Sequence, residues 1–180
     1  CLNPKEEKRA KLIIKDSGVL AGLDIAKKIF YEVDKNLEVN ILLKDGDEVK
    51  FGDIGLEVKG SATSILLAER LVLNTMQRMS GIATKTRQFV DLIAHTKCKV
   101  LDTRKTTPNF RYFEKLAVKI GGGVNHRFGL YDMIMLKDNH VDYCGGISNA
   151  IQRAKAYNQK LDIQLPIEVE TRSLDEVKQV

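Results

Sequence analysis

The sequence predicts an α/β protein in two domains, residues 1–97 and 98–180, and three observations carry that expectation. First, apolar residues at helical spacing alternate with short β-branched runs along the chain. Second, after Lys97 the β-like runs recur at intervals of roughly 33 residues, the span of a strand–helix–strand unit, so three parallel strands are expected there. Third, 180 residues with 43% hydrophobic and 29% charged content can bury a real core, as an ordinary globular protein does.

The elements follow in order. Residues 11–15 read as a strand, Asp16-Ser17-Gly18 as a turn, Leu23–Val33 as a helix and 38–43 as a strand. Ile25, Ile29 and Val33 share one helical face and should meet a core. Asp-Gly and Gly-Asp pairs between Lys44 and Asp53 mark turns around short strands of a structural β-layer. Residues 63–79 form a helix that Gly81 should end, because glycine suits the left-handed conformation past a helix terminus. Its stripe of Ile65, Ala68, Val72, Met76 and Met79 is widened by Leu67 and Leu71, so burial on most sides is expected, with Arg70, Asn74 and Gln77 as its polar line. A separate helix is expected over 84–95. Beyond Lys97 come a strand at 100–103, a helix at 110–119, a strand at 133–136, a helix at 147–157, a strand at 166–170 and a helix from 174.

Composition bounds function less sharply. A formal charge of +5 and pI near 9.0 permit an acidic partner. The chain has no tryptophan, no aromatic run of the RNA-binding type and no repeated basic stripe, which argues against a nucleic-acid partner. No stretch approaches the roughly 18–20 apolar residues of a membrane helix. We therefore expect a soluble, cytoplasmic protein without a membrane partner. Cys1, Cys98 and Cys144 are odd in number and widely spaced, so no disulfide framework is expected, and Cys98 should be a small core residue. The chain opens on Cys1 and stops within a helical pattern, as a piece of a longer protein would.

The charged residues point to chemistry by their position. Each expected strand of the second domain delivers charge at its end: Arg104 and Lys105 after the first, Lys137 and Asp138 after the second, Glu170 after the third. Active sites of parallel α/β folds lie at the C-terminal strand ends. Arg104, Lys105, Lys137 and Glu170 should therefore converge on one mouth, whereas independent surface charge has no reason to respect strand direction. The loop Asn125-His126-Arg127 adds two planar donors, with His126 expected to act as a neutral donor beside the cations. A guanidinium matches a carboxylate or phosphate with two hydrogen bonds, and lysine supplies a point charge. Four cations exceed what one carboxylate requires, so the ligands should carry several negative charges. Glu170, taken as the acting carboxylate in preference to Glu168, supplies the opposite sign. The run Gly121-Gly122-Gly123 fits neither a P-loop nor a dinucleotide fingerprint.

The segments Leu101-Asp102-Thr103-Arg104-Lys105-Thr106-Thr107-Pro108, Asn125-His126-Arg127-Phe128-Gly129-Leu130 and Leu136-Lys137-Asp138-Asn139-His140 resemble signatures of the quinolinate phosphoribosyltransferases. Glu69-Arg70-Leu71-Val72-Leu73-Asn74 and Ser80-Gly81-Ile82-Ala83-Thr84 fit the same pattern in order and spacing. The resemblance implies an N-terminal α/β sandwich domain, its start missing, followed by an incomplete α/β (TIM-like) barrel truncated after about three strands. It implies transfer of phosphoribosyl from phosphoribosyl pyrophosphate to quinolinate with decarboxylation, giving nicotinate mononucleotide for NAD synthesis, with Mg²⁺ accompanying the pyrophosphate. By the same resemblance Lys105, Lys137 and Glu170 are catalytic. Arg70, Thr103, Arg104, Lys105, His126, Arg127, Lys137 and Glu170 bind substrate, and no residue is assigned as a metal ligand. Arg70 would reach into a neighbouring subunit's site across the interface of a homodimer or larger oligomer. Arginines on two separate loops favour a dicarboxylate over nicotinate.

Overall fold

The computed structural model describes residues 6–180, so Cys1 lies outside it. The chain divides into two compact units, one reaching to His126 and one from Arg127 to Val180. The first contains β1 (Glu7–Ile13), β2 (Gly18–Val19), α1 (Leu23–Val33), β3 (Glu38–Ile41), β4 (Glu48–Val49), β5 (Ile54–Ser61), α2 (Ala62–Ile93) and α3 (Arg111–Ile120).

An antiparallel sheet of order β1-β5-β3 forms one layer of this unit, with Leu12 opposite Leu56 and Val39 opposite Val58. The pleat sends Leu56 and Val58 into the core and leaves Glu57 and Lys59 on the other side. There they pair with Lys11 and Glu38. Leu23, Ala26 and Phe30 of α1 and Ile65, Ala68, Val72 and Met76 of α2 cover the inner face. The start of α1 falls on Gly22, which has no side chain to cap it. Asp45 substitutes from the neighbouring turn, its carboxylate accepting the N–H groups of Gly22 at 2.8 Å and Leu23 at 2.9 Å.

Gly81 does not end a helix. α2 runs unbroken over 32 residues, about 48 Å at 1.5 Å per residue. The buried stripe passes straight through it, from Met79 to Ala83 to Thr86, in steps of four and three. A helical glycine costs about 1 kcal/mol, and burying Met79 and Ala83 on either side outweighs that. The expected burial on most sides is also corrected. Leu66, Leu67 and Leu71 are 54%, 73% and 58% exposed, because within this unit only one face of α2 meets a partner.

Phe113, Leu116, Ala117 and Ile120 bring α3 against Met79 and Ala83 of α2. The glycine run that follows serves this packing. A Cβ on Gly121 would stand 2.5 Å from the Ala83 carbonyl oxygen, and one on Gly123 would stand 2.7 Å from Val118 Cγ1.

The strand expected over 100–103 shrinks to one parallel bridge, Leu101 to Val124. Val124 donates its N–H to the Val100 carbonyl at 2.8 Å, and Asp102 donates its own to the Val124 carbonyl at 3.2 Å. Parallel strands are stable when both faces are covered, and Leu101 remains 54% exposed in this unit. Cys98, expected in the core, is exposed in the connection ahead of this bridge.

The second unit comprises β6 (Ile134–Leu136), α4 (Asp138–Cys144), α5 (Ile147–Asn158), β7 (Ile167–Val169) and α6 (Leu174–Val177). β6 and β7 are parallel, with Ile134 opposite Ile167 and Leu136 opposite Val169, as the strand–helix alternation requires. Leu136, Val141, Ile147, Ala150, Ile151 and Ala154 form their core. Buried Asn158 takes the Leu165 N–H at 2.9 Å and donates to the Leu165 carbonyl at 2.8 Å, which fixes the chain entering β7. The short helix α4 was not expected. His140 Nδ1 accepts the Lys137 N–H at 2.9 Å at its start, and Gly145, at φ 78°, ends it. No described helix is long and apolar enough to cross a membrane.

Candidate active site

In the first unit the segment leaving the Leu101 bridge is shaped by a buried carboxylate. Asp102 Oδ1 accepts the Lys115 ammonium and, at 2.8 Å, the His126 N–H. With its amide nitrogen turned inward, Asn125 donates to Asp102 Oδ2 at 3.0 Å and to the Lys115 carbonyl at 2.8 Å. The side chains of Lys115 and Asp102 are 2% and 6% exposed.

One residue after Asp102, Thr103 Oγ1 accepts the Lys105 N–H at 3.1 Å and tightens the turn. Lys105 is exposed there and Arg104 half-buried. Among the described residues, Arg104 Nε is buried without a hydrogen-bond partner. Leaving such a donor unpaired costs about 1–3 kcal/mol, more when it is charged. A carboxylate or phosphate oxygen is the acceptor a guanidinium fits best.

The rest of the loop is held by Glu114 of α3. Arg78 donates to Glu114 Oε1 from Nε at 3.0 Å and from Nη2 at 2.7 Å; Thr107 donates its hydroxyl to the same oxygen at 2.8 Å and its N–H to Oε2 at 3.3 Å. Burial pushes the Glu114 carboxyl up, but the hydrogen bonds from Arg78 and Thr107 outweigh it and hold the group below its ordinary value.

In the second unit Lys137 Nζ donates to Glu170 Oε1 at 3.1 Å, with both side chains about half exposed. The Glu170 N–H donates to the Leu136 carbonyl at 2.8 Å, so both residues leave the same end of the β6–β7 pair. Arg172 ties the loop after β7 to α4 through two bonds to the Asp142 carboxylate, at 2.9 and 3.2 Å. Just beyond half-buried Arg127, the N–H groups of Phe128 and Gly129 donate to Asp132 at 2.6 and 3.1 Å.

Thr103, Arg104, Lys105 and His126 thus gather in the first unit, and Arg127, Lys137 and Glu170 belong to the second. Arg70 lies on the exposed face of α2 beside Leu66, Leu67 and Leu71. Among the described residues no three His, Cys, Asp or Glu side chains cluster as a metal cage would require. A cavity of about 480 Å³ lined by Leu12, Val19, Leu73 and Met76, among others, includes none of the expected site residues. The supporting residues Arg78, Glu114, Lys115, Asp132 and Arg172 escaped the sequence analysis. Glu114 alone carried a signal, since it stands four residues after Phe110 and three before Ala117, on the apolar face of its helix.

Residues 82–180 match the family model for the quinolinate phosphoribosyl transferase C-terminal domain, and residues 1–80 match that for the N-terminal domain. The chain is 47% identical over 174 residues to quinolinate phosphoribosyltransferase (decarboxylating) 2b, mitochondrial, of Nicotiana tabacum, a match covering 97% of this chain and 49% of that protein. It is 46% identical over 162 residues to the probable nicotinate-nucleotide pyrophosphorylase (carboxylating) of Bacillus subtilis, covering 89% of this chain and 56% of that one. The crystal structure of NadC from Streptococcus pyogenes superposes with a TM-score of 0.93 at 42% identity, covering 99% of this chain and 62% of its own. The chain spans about half the length of the curated relatives it matches.

Proposed function

Since the chain belongs to the quinolinate phosphoribosyl transferase family, we propose that the full-length protein joins quinolinate to phosphoribosyl pyrophosphate. Pyrophosphate leaves the sugar carbon and the pyridine nitrogen bonds to it; the 2-carboxylate then departs as CO₂, leaving its bonding pair on the ring carbon beside the positive nitrogen, and one proton taken up there from solvent gives nicotinate mononucleotide. The observation that carries this is Arg104, whose Nε is buried and unpaired at the end of a strand-like segment that also presents Lys105. Such a donor is set up for an anion. Arg104, His126 and Arg127 would take the two carboxylates, with Thr103 shaping the loop. Lys105 and Lys137 would serve the phosphates and the reacting carbon. Little proton transfer is needed, so positioning and charge stabilisation supply most of the rate.

Glu170 would bear on the ribose and on Mg²⁺. Magnesium binds through one or two carboxylates plus substrate phosphates, and Glu170 offers such a carboxylate at the strand end, where Lys137 holds it. The ion would arrive with the pyrophosphate. For assembly, the support is the exposed Leu66, Leu67 and Leu71 around Arg70 on α2, an apolar surface of the kind that covers itself in a symmetric dimer and would carry Arg70 to the partner's site. Cytoplasmic location stands as part of the same proposal and is tested by fractionation of the full-length protein.

The test is a product assay with quinolinate and phosphoribosyl pyrophosphate, following nicotinate mononucleotide. No product from the intact, folded protein would end the proposal. Arg127→Ala should weaken quinolinate far more than phosphoribosyl pyrophosphate, and equal losses would undo the assignment of roles.

A further inference from the structure

We infer that Asp102 and Lys115 are a positioning pair: a buried hub that sets the Arg104 turn against His126 before any dicarboxylate arrives. The inference rests on the proposed function for the identity of the ligand, but its geometry stands independently.

Three segments meet at one carboxylate. Asp102 ends the extended segment that carries Thr103, Arg104 and Lys105. Lys115 comes from α3, and Asn125 and His126 leave the opposite side of the Leu101–Val124 bridge. Asp102 Oδ1 takes the ammonium and the His126 N–H, while Oδ2 takes the Asn125 amide, which also bonds the Lys115 carbonyl. Every contact ties one ligand-bearing loop to another or to α3.

Stability does not require this arrangement. Burying two charges costs several kcal/mol each, and a well-packed apolar pair of similar volume is often as stable or more so. An apolar pair, however, could not hold a backbone N–H in a fixed direction. What the ion pair adds is geometry. Lys115, buried and bound to Asp102, is withheld from the phosphates that Lys105, exposed on its turn, is free to meet. It is a positioning residue and not a third catalytic lysine.

The experiment uses the full-length protein and the variants Asp102→Asn and Asp102→Asn/Lys115→Met, the second removing both charges at nearly constant volume. In a variant that keeps a cooperative thermal transition, the quinolinate Kd should rise about tenfold or more while the KM for phosphoribosyl pyrophosphate stays within about twofold, since small displacements of positioned groups carry such losses. A Kd unchanged in a folded variant, or equal losses for both substrates, overturns the inference. Hydrogen exchange on the wild-type protein supplies the arm that no folding defect can obscure. The His126 amide should be protected with and without quinolinate, and protection that appears only on adding quinolinate would refute a preset hub. If wild-type protein binds no quinolinate, the proposed function fails, and the exchange of His126 in the free protein still decides whether the hub is preset.

Discussion

Around the loops that carry the expected site residues, the two units use the same charged residue types in opposite ways. In the first, Asp102–Lys115 and Glu114–Arg78 are ion pairs in which at least one partner is almost wholly buried and every carboxylate oxygen is occupied. In the second, Lys137–Glu170 and Arg172–Asp142 pair across half-exposed surface. Burial makes a charge pair a frame, because breaking it strands a desolvated group. Exposure makes it cheap to separate, worth at most about 1 kcal/mol, so either partner can turn to a substrate.

That contrast can be broken or sharpened by experiment on the full-length protein. The largest expected effect is on turnover. Lys137→Ala should lower product formation about 100-fold or more, the scale of losing one charge-stabilising donor, with little change in melting temperature. A matching loss of stability would mean that Lys137 is frame and not tool. Gly121→Ala should destabilise by about 1–3 kcal/mol in denaturant titrations, because its Cβ would meet the Ala83 carbonyl oxygen at 2.5 Å where α3 joins α2.

Glu114→Ala should cost about 1–3 kcal/mol by leaving Thr107 and Arg78 without their acceptor. The sign with pH follows from its depressed pKa. The contribution of Glu114 is complete above its ordinary value of 4.5 and is lost as pH falls through the lower folded value. Acid unfolding curves of Glu114→Gln should lack that component. The smallest effect runs the other way. Gly81→Ala should stabilise by up to about 1 kcal/mol, since the position is helical, carries no positive φ and has open space for a Cβ. Destabilisation there would show that Gly81 serves a contact outside this chain.

Much of this molecule was legible in one dimension. Helix α1 follows from Ile25, Ile29 and Val33, and the parallel β6–β7 pair from the strand–helix alternation. Lys137 and Glu170 leave the same end of that pair, as strand direction predicts. Periodicity and position are local properties of a chain, readable without knowing its neighbours. What escaped depends on neighbours. Gly81 continues a helix because Met79 and Ala83 are buried around it, and the 100–103 segment makes only one bridge because nothing in its unit covers Leu101. Lys115 looks in sequence like any solvent-facing lysine, yet it is among the most buried side chains described. Only the tertiary structure brings Asp102, Asn125 and His126 around it, because the energy of a charge is set by what surrounds it and residue type alone does not encode that.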